Sequence, residues 1–117
     1  MTINHTELVA ALVKPGATIA ANITASEADM LHMAVGISGE AGELLDAVKK
    51  ATIYKKPIDR DNVIEELGDL EFYMEGLRQN LGITRQETLD ANIAKLSVRY
   101  AGLNYSDKAA QERADKA

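Results

Sequence analysis

The sequence contains no cysteine and no tryptophan, one phenylalanine and two prolines. Without cysteine there are no disulfides, thiol nucleophiles or thiolate metal sites, so any metal must rest on oxygen or histidine ligands. No apolar run approaches the roughly 20 residues that cross a bilayer, and the opening MTINHTELVA has neither the basic start nor the apolar stretch of a signal peptide. A cytoplasmic protein with no membrane partner is therefore expected. Positive charge is also scarce: 13 Lys and Arg stand against 18 Asp and Glu, a net charge of −5. That balance argues against a nucleic-acid partner, which needs a concentrated basic surface. It leaves room for a phosphorylated small molecule, provided divalent cations supply the charge.

What is present is the composition of a folded protein, 46% hydrophobic and 26% charged, in a length that suits one domain over residues 1–117. Turn and cap signals divide it into helices, with no alternating strand pattern. A first helix fits Ile3 to Val13 and stops at Lys14-Pro15-Gly16, followed by a loop of small residues through Asn22. Thr24 and Glu27 make a capping-box pattern that opens a long helix to Lys50. The stretch Ala51 to Arg60, with Pro57 inside it, reads as the connection to a third helix capped by Asp61 and ended by Leu81-Gly82. Thr84 and Glu87 open a fourth reaching Gly102, and Ser106 caps a short fifth. The expected class is an all-α antiparallel bundle of four to five helices.

In the second helix Met30, Ala34, Ile37, Ala41, Leu44 and Val48 recur at alternating spacings of four and three, and in the third Val63, Leu67, Leu70, Met74, Leu77 and Leu81 do the same. These are seams of helices that pack side by side. At about 100° per residue, Glu40 and Glu43 lie roughly 80° and 140° to one side of their seam, and Glu66 and Asp69 roughly 60° and 120° to the same side of theirs. Equal offsets converge only if the helices run antiparallel, which the short connection favours. Four gathered carboxylates repel one another unless cations sit among them, and an all-oxygen set suits Mg²⁺, with Mn²⁺ as a substitute. Asn92, Lys95 and Arg99 lie to the corresponding side of the fourth helix, where a lysine point charge and an arginine fork fit phosphate oxygens. Tyr73 shares the ridge of Asn62, Glu66 and Asp69, within reach of a substrate. The other reading of these acids is a solvated surface on a non-catalytic module that oligomerises or binds a partner.

The segments SGEAGELLDAVKK and NVIEELGDLEFYMEGL resemble the MazG-like all-α nucleoside triphosphate pyrophosphohydrolases. The family's Glu-x-x-Glu and Glu-x-x-Asp pairs fall on Glu40, Glu43, Glu66 and Asp69, which the resemblance implies coordinate Mg²⁺; Glu40 and Glu43 are the two candidates for the catalytic group that orients or deprotonates the attacking water. Many members begin the motif with two adjacent glutamates, whereas here Gly39 precedes Glu40. The downstream NIAKLSVRYAGLNYSDKAAQERAD resembles the family's phosphate-contacting segment and implies that role for Lys95 and Arg99, with Tyr105 and Arg113 as weaker carry-overs. The resemblance also implies a homodimer or homotetramer and conversion of a nucleoside triphosphate to its monophosphate and pyrophosphate. With Phe72 the only phenylalanine and no tryptophan, an aromatic cage for a pyrimidine is hard to build, which tilts the expected substrate toward a purine deoxynucleotide such as dGTP or dATP over dUTP, dCTP or phosphoribosyl-ATP.

Overall fold

The computed structural model describes residues 2–116 and is helical throughout, with no strand among those residues. Its elements are α1 (His5–Leu12), α2 (Gly16–Asn22), α3 (Ala25–Thr52), α4 (Arg60–Leu81), α5 (Arg85–Arg99), α6 (Asp107–Glu112) and a 3-10 turn at Ala114–Lys116. The helices expected from the sequence are all present, and a short one is added where a loop was expected. Gly16 to Asn22 winds into α2 because three of its seven residues are alanine and Pro15 stands at its N-cap, where a missing N–H costs nothing.

Side chains fix most of the ends. Thr24 Oγ1 accepts from the Glu27 N–H while Glu27 accepts from the Thr24 N–H, the reciprocal pair that starts α3. α4 is capped by Asp59, whose carboxylate accepts from the Asn62 N–H, two residues earlier than the expected Asp61. Gly82 closes α4 in the left-handed conformation, φ 68°, where a Cβ would be strained. Thr84 and Ser106 cap α5 and α6 as expected.

α3 and α4 pack along their length as an antiparallel hairpin. Their register is visible at two glycines: a Cβ on Gly76 would overlap Met33, and a Cβ on Gly36 would overlap the Tyr73 ring. Three residues forward on one helix correspond to three back on the other. The shielded residues of α3 are Met30, Met33, Gly36, Ile37, Glu40, Leu44, Asp46, Ala47 and Ala51, and those of α4 are Asn62, Val63, Glu66, Leu70, residues 73–78 and Asn80. The three-four spacing is kept along most of the hairpin, but five of the six alternate positions lie one residue before the expected one. Met33, Glu40 and Ala47 replace the exposed Ala34, Ala41 and Val48, and Glu66 and Asn80 replace the exposed Leu67 and Leu81, while Met74 is shielded as expected, beside Tyr73. The apolar face of each helix is wider than one seam, and the hairpin uses the flank that carries the acids.

The rest of the apolar surface stays open. Ala47 is the only buried hydrophobic residue among those described, while Leu31, Val35 and Leu45 are 56%, 60% and 68% exposed. By helical geometry these three form a second ridge roughly 160° from the α4-facing stripe. α5 packs on α6 and on the 3-10 turn, making an arm beside the hairpin.

A candidate metal centre between two helices

The register that stacks Tyr73 on Gly36 continues one turn along α3 to set Glu40 level with Asp69, and Glu43 level with Glu66. One carboxylate oxygen each from Glu40, Glu66 and Asp69 lies within 4.8 Å of the others. Glu40 and Glu66 are part-buried in the seam, and Asp69 is exposed at its edge. Glu43, also exposed, lies outside this close group yet near enough for its charge to act on Glu66.

Glu66 is the electrostatic focus. Its hydrogen bond with Glu40, its partial desolvation and the negative charges of Glu40, Glu43 and Asp69 push its carboxyl up to about 7. Its Oε2 is shielded from solvent and has no hydrogen-bond partner. An unpartnered, shielded oxygen on one member of a group of three carboxylates is costly alone and suits a hard divalent cation, which would supply a missing partner. All three close donors are carboxylate oxygens, so the residues present fit Mg²⁺ or Mn²⁺ and offer nothing to softer metals.

The remaining predicted residues are dispersed. Tyr73 packs its ring over Gly36, with Phe72 edge-on at 5.2 Å and His32 at 6.2 Å between ring centroids. Its face is therefore spent on the hairpin, one turn from the carboxylates. Asn92 and Tyr105 line a cleft of about 340 Å³ with Ile93, Leu96 and Tyr100. The Tyr105 hydroxyl donates to Asp107 at 2.5 Å, and its ring lies 5.7 Å from that of Tyr100. Lys95 and Arg99 are half-buried on α5. Among the described residues no ion pair joins either to the carboxylate cluster. Arg99 instead donates from Nε and Nη2 to both oxygens of Asp115, at 2.8 and 3.3 Å. Asp115, which the sequence reading did not single out, is held below the usual carboxylate range by that arginine.

The other glycines of α3 and α4 separate from the packed pair. A Cβ at Gly39, Gly42 or Gly68 would meet nothing within 4 Å. Neither curated proteins nor solved structures give a match to this chain. Residues 28–102, which run from the start of α3 past the end of α5 and hold the whole carboxylate cluster, match the family model described as the MazG nucleotide pyrophosphohydrolase domain, and with well over half its length so matched the chain belongs to that family.

Proposed function

We propose that the protein is a Mg²⁺-dependent nucleoside triphosphate pyrophosphohydrolase, converting a (d)NTP and water to the (d)NMP and pyrophosphate. The observation that carries this reading is the convergence of Glu40, Glu66 and Asp69 across the α3–α4 seam, inside the segment matched by the family model. Mg²⁺ bound there supplies Lewis-acid polarisation of phosphate oxygens and a water of lowered pKa.

This chain's residues do the rest. Glu40, Glu66 and Asp69 would hold the metal through their carboxylate oxygens. Glu66 would hold the metal as a carboxylate, so its raised carboxyl would have to lose its proton first. Glu43, outside the close group and exposed, is placed to take a proton from the attacking water, with Glu40 the alternative base. The water oxygen bonds to the α-phosphorus, the bond from that phosphorus to the oxygen bridging to the β-phosphate breaks, and pyrophosphate leaves with the bridging oxygen. Lys95 and Arg99 bind phosphate oxygens, Asn92 and Tyr105 contact the substrate from their cleft, and Tyr73 braces the α4 turn that presents Asp69.

The same reading takes the working form to be a homodimer or homotetramer, with copies of the chain covering the apolar surface. The lone chain exposes 9264 Å², against about 6,200 Å² for a folded monomer of its mass. Its radius of gyration is 20.2 Å, against about 13 Å for a compact chain of this length. Leu31, Val35, Leu45, Ile64 and Phe72, all more than half exposed, are the surface that such packing would bury.

The decisive experiment incubates the protein and Mg²⁺ with each NTP and dNTP in turn and resolves the products. Pyrophosphate and monophosphate are expected, with dGTP or dATP turned over fastest; release of orthophosphate instead sinks the reading.

A further inference from the structure

Six ion pairs are formed among the described residues, and five of them join residues of a single helix. The exception is Arg99 with Asp115, which ties the end of α5 to the 3-10 turn sixteen residues on. It is also the most enclosed: the Asp115 side chain is 6% exposed and that of Arg99 15%, where the one buried hydrophobic residue among those described is an alanine.

The turn reaches Arg99 by a conformation that works against the sequence. α6 stops at Arg113, a non-glycine residue in the left-handed region at φ 50° and ψ 58°, and the reversal there swings Ala114–Lys116 back onto α5. A left-handed arginine and a desolvated ion pair both cost free energy, and a buried pair seldom stabilises a fold more than apolar packing would. What such a pair does provide is a fixed orientation.

That orientation is specific. Asp115 takes the Nε edge of the guanidinium, Oδ1 on Nε and Oδ2 on Nη2. Of the five N–H donors of an arginine, this leaves one on Nη2 and the pair on Nη1; one from each of these nitrogens lies on the terminal edge, which can itself grip a phosphate with two parallel bonds. We infer that Asp115 is a positioning residue, clamping Arg99 by its Nε edge so that the terminal edge is preset for a phosphate group of the triphosphate. The inference rests on the proposed phosphate role of Arg99. A preset fork loses less side-chain freedom on binding than a free one.

Calorimetric titration with Mg-tripolyphosphate tests this without requiring hydrolysis. Asp115→Ala is expected to weaken binding about tenfold, Asp115→Asn by less because one acceptor remains, and Asp115→Ala added to Arg99→Ala not at all, since the residue acts only through Arg99. In turnover, Asp115→Ala is expected to raise KM about tenfold with kcat within about twofold. Tighter binding in Asp115→Ala would overturn the inference by making Asp115 a competitor of phosphate. An equal loss on the Arg99→Ala background would make its role purely structural, and a wild-type protein that binds no tripolyphosphate would also overturn it. If Asp115→Ala loses helicity, Asp115→Asn carries the same comparisons. Wild-type protein that binds tripolyphosphate through the Arg99–Asp115 pair but releases no pyrophosphate from any nucleotide would remove the proposed activity and leave the positioning role standing.

Discussion

The ring of Tyr73 lies over Gly36, at a crossing so close that a Cβ on the glycine would overlap the ring. Gly36→Ala should therefore push the helices apart or force the tyrosine off its rotamer, a change of the overpacking kind worth about 1–3 kcal/mol of stability. Gly42→Ala, with nothing within 4 Å of the added methyl, should instead gain up to about 1 kcal/mol from helix propensity. Chemical denaturation of the two variants checks the pair; equal effects would dissociate the crossing from the glycine.

The raised carboxyl of Glu66 makes metal binding a proton-releasing step. At pH values below about 7 Glu66 is mostly protonated, so a cation must displace its proton. Mg²⁺ affinity should rise with pH through that value and level off above it, with close to one proton released per ion on the acid side. Titrations in buffers of different ionisation enthalpy measure that proton, and Glu66→Gln should abolish it.

The same group affects stability in the metal-free protein. Its folded pKa lies above the ordinary 4.5, so between those two values the folded state binds more protons than the unfolded state. Its contribution to stability is then fully present below about pH 4.5 and is lost as pH rises through about 7. Melting curves in chelator should show a decline over that window that is smaller in Glu66→Gln. A decline unchanged by the substitution would assign it to other groups.

Asp69→Asn and Glu43→Gln should both cut turnover, on the order of 100-fold, but differently. Asp69 belongs to the close group of carboxylate oxygens and Glu43 does not. Asp69→Asn is expected to abolish the thermal stabilisation given by Mg²⁺ with a non-hydrolysable triphosphate, and Glu43→Gln to reduce it less while losing the rate. Parallel melts and turnover assays separate the two roles.

Leu45, at 68% exposure on the far side of α3 from α4, is the probe for assembly. Sedimentation of the wild-type protein should give at least twice the 12.7 kDa of one chain, and Leu45→Glu should shift it toward that single mass. A wild-type protein sedimenting as one chain would remove the assembly from the proposal.

Much of this arrangement was legible in the sequence, and where legibility failed the reason is physical. The matching offsets of Glu40 with Glu43 and Glu66 with Asp69 anticipated the antiparallel hairpin, because helical geometry turns spacing into direction. The same arithmetic placed the seam one residue off at every second position except Met74, which is shielded as expected. Ala34, Ala41 and Leu67 are as apolar as a seam requires, and a wide apolar face does not say which of its flanks meets the neighbouring helix. Glu40 and Glu66 consequently stand nearer the seam than the offsets implied. The stretch after Pro15 read as a loop because of its small residues, yet its alanines are strong helix formers. The Arg99–Asp115 clamp left no local signal at all: it needs a left-handed turn at an arginine and a contact across sixteen residues.

That Ala47 is the only buried hydrophobic residue described has a thermodynamic consequence. If copies of the chain supply the dry interior that one chain lacks, as proposed, folding and association become a single equilibrium governed by mass action. Its melting temperature should climb with the concentration of the chain itself, and dilution should denature it as surely as heat. The amount of protein a cell maintains would then decide not only how many active sites exist but whether any do.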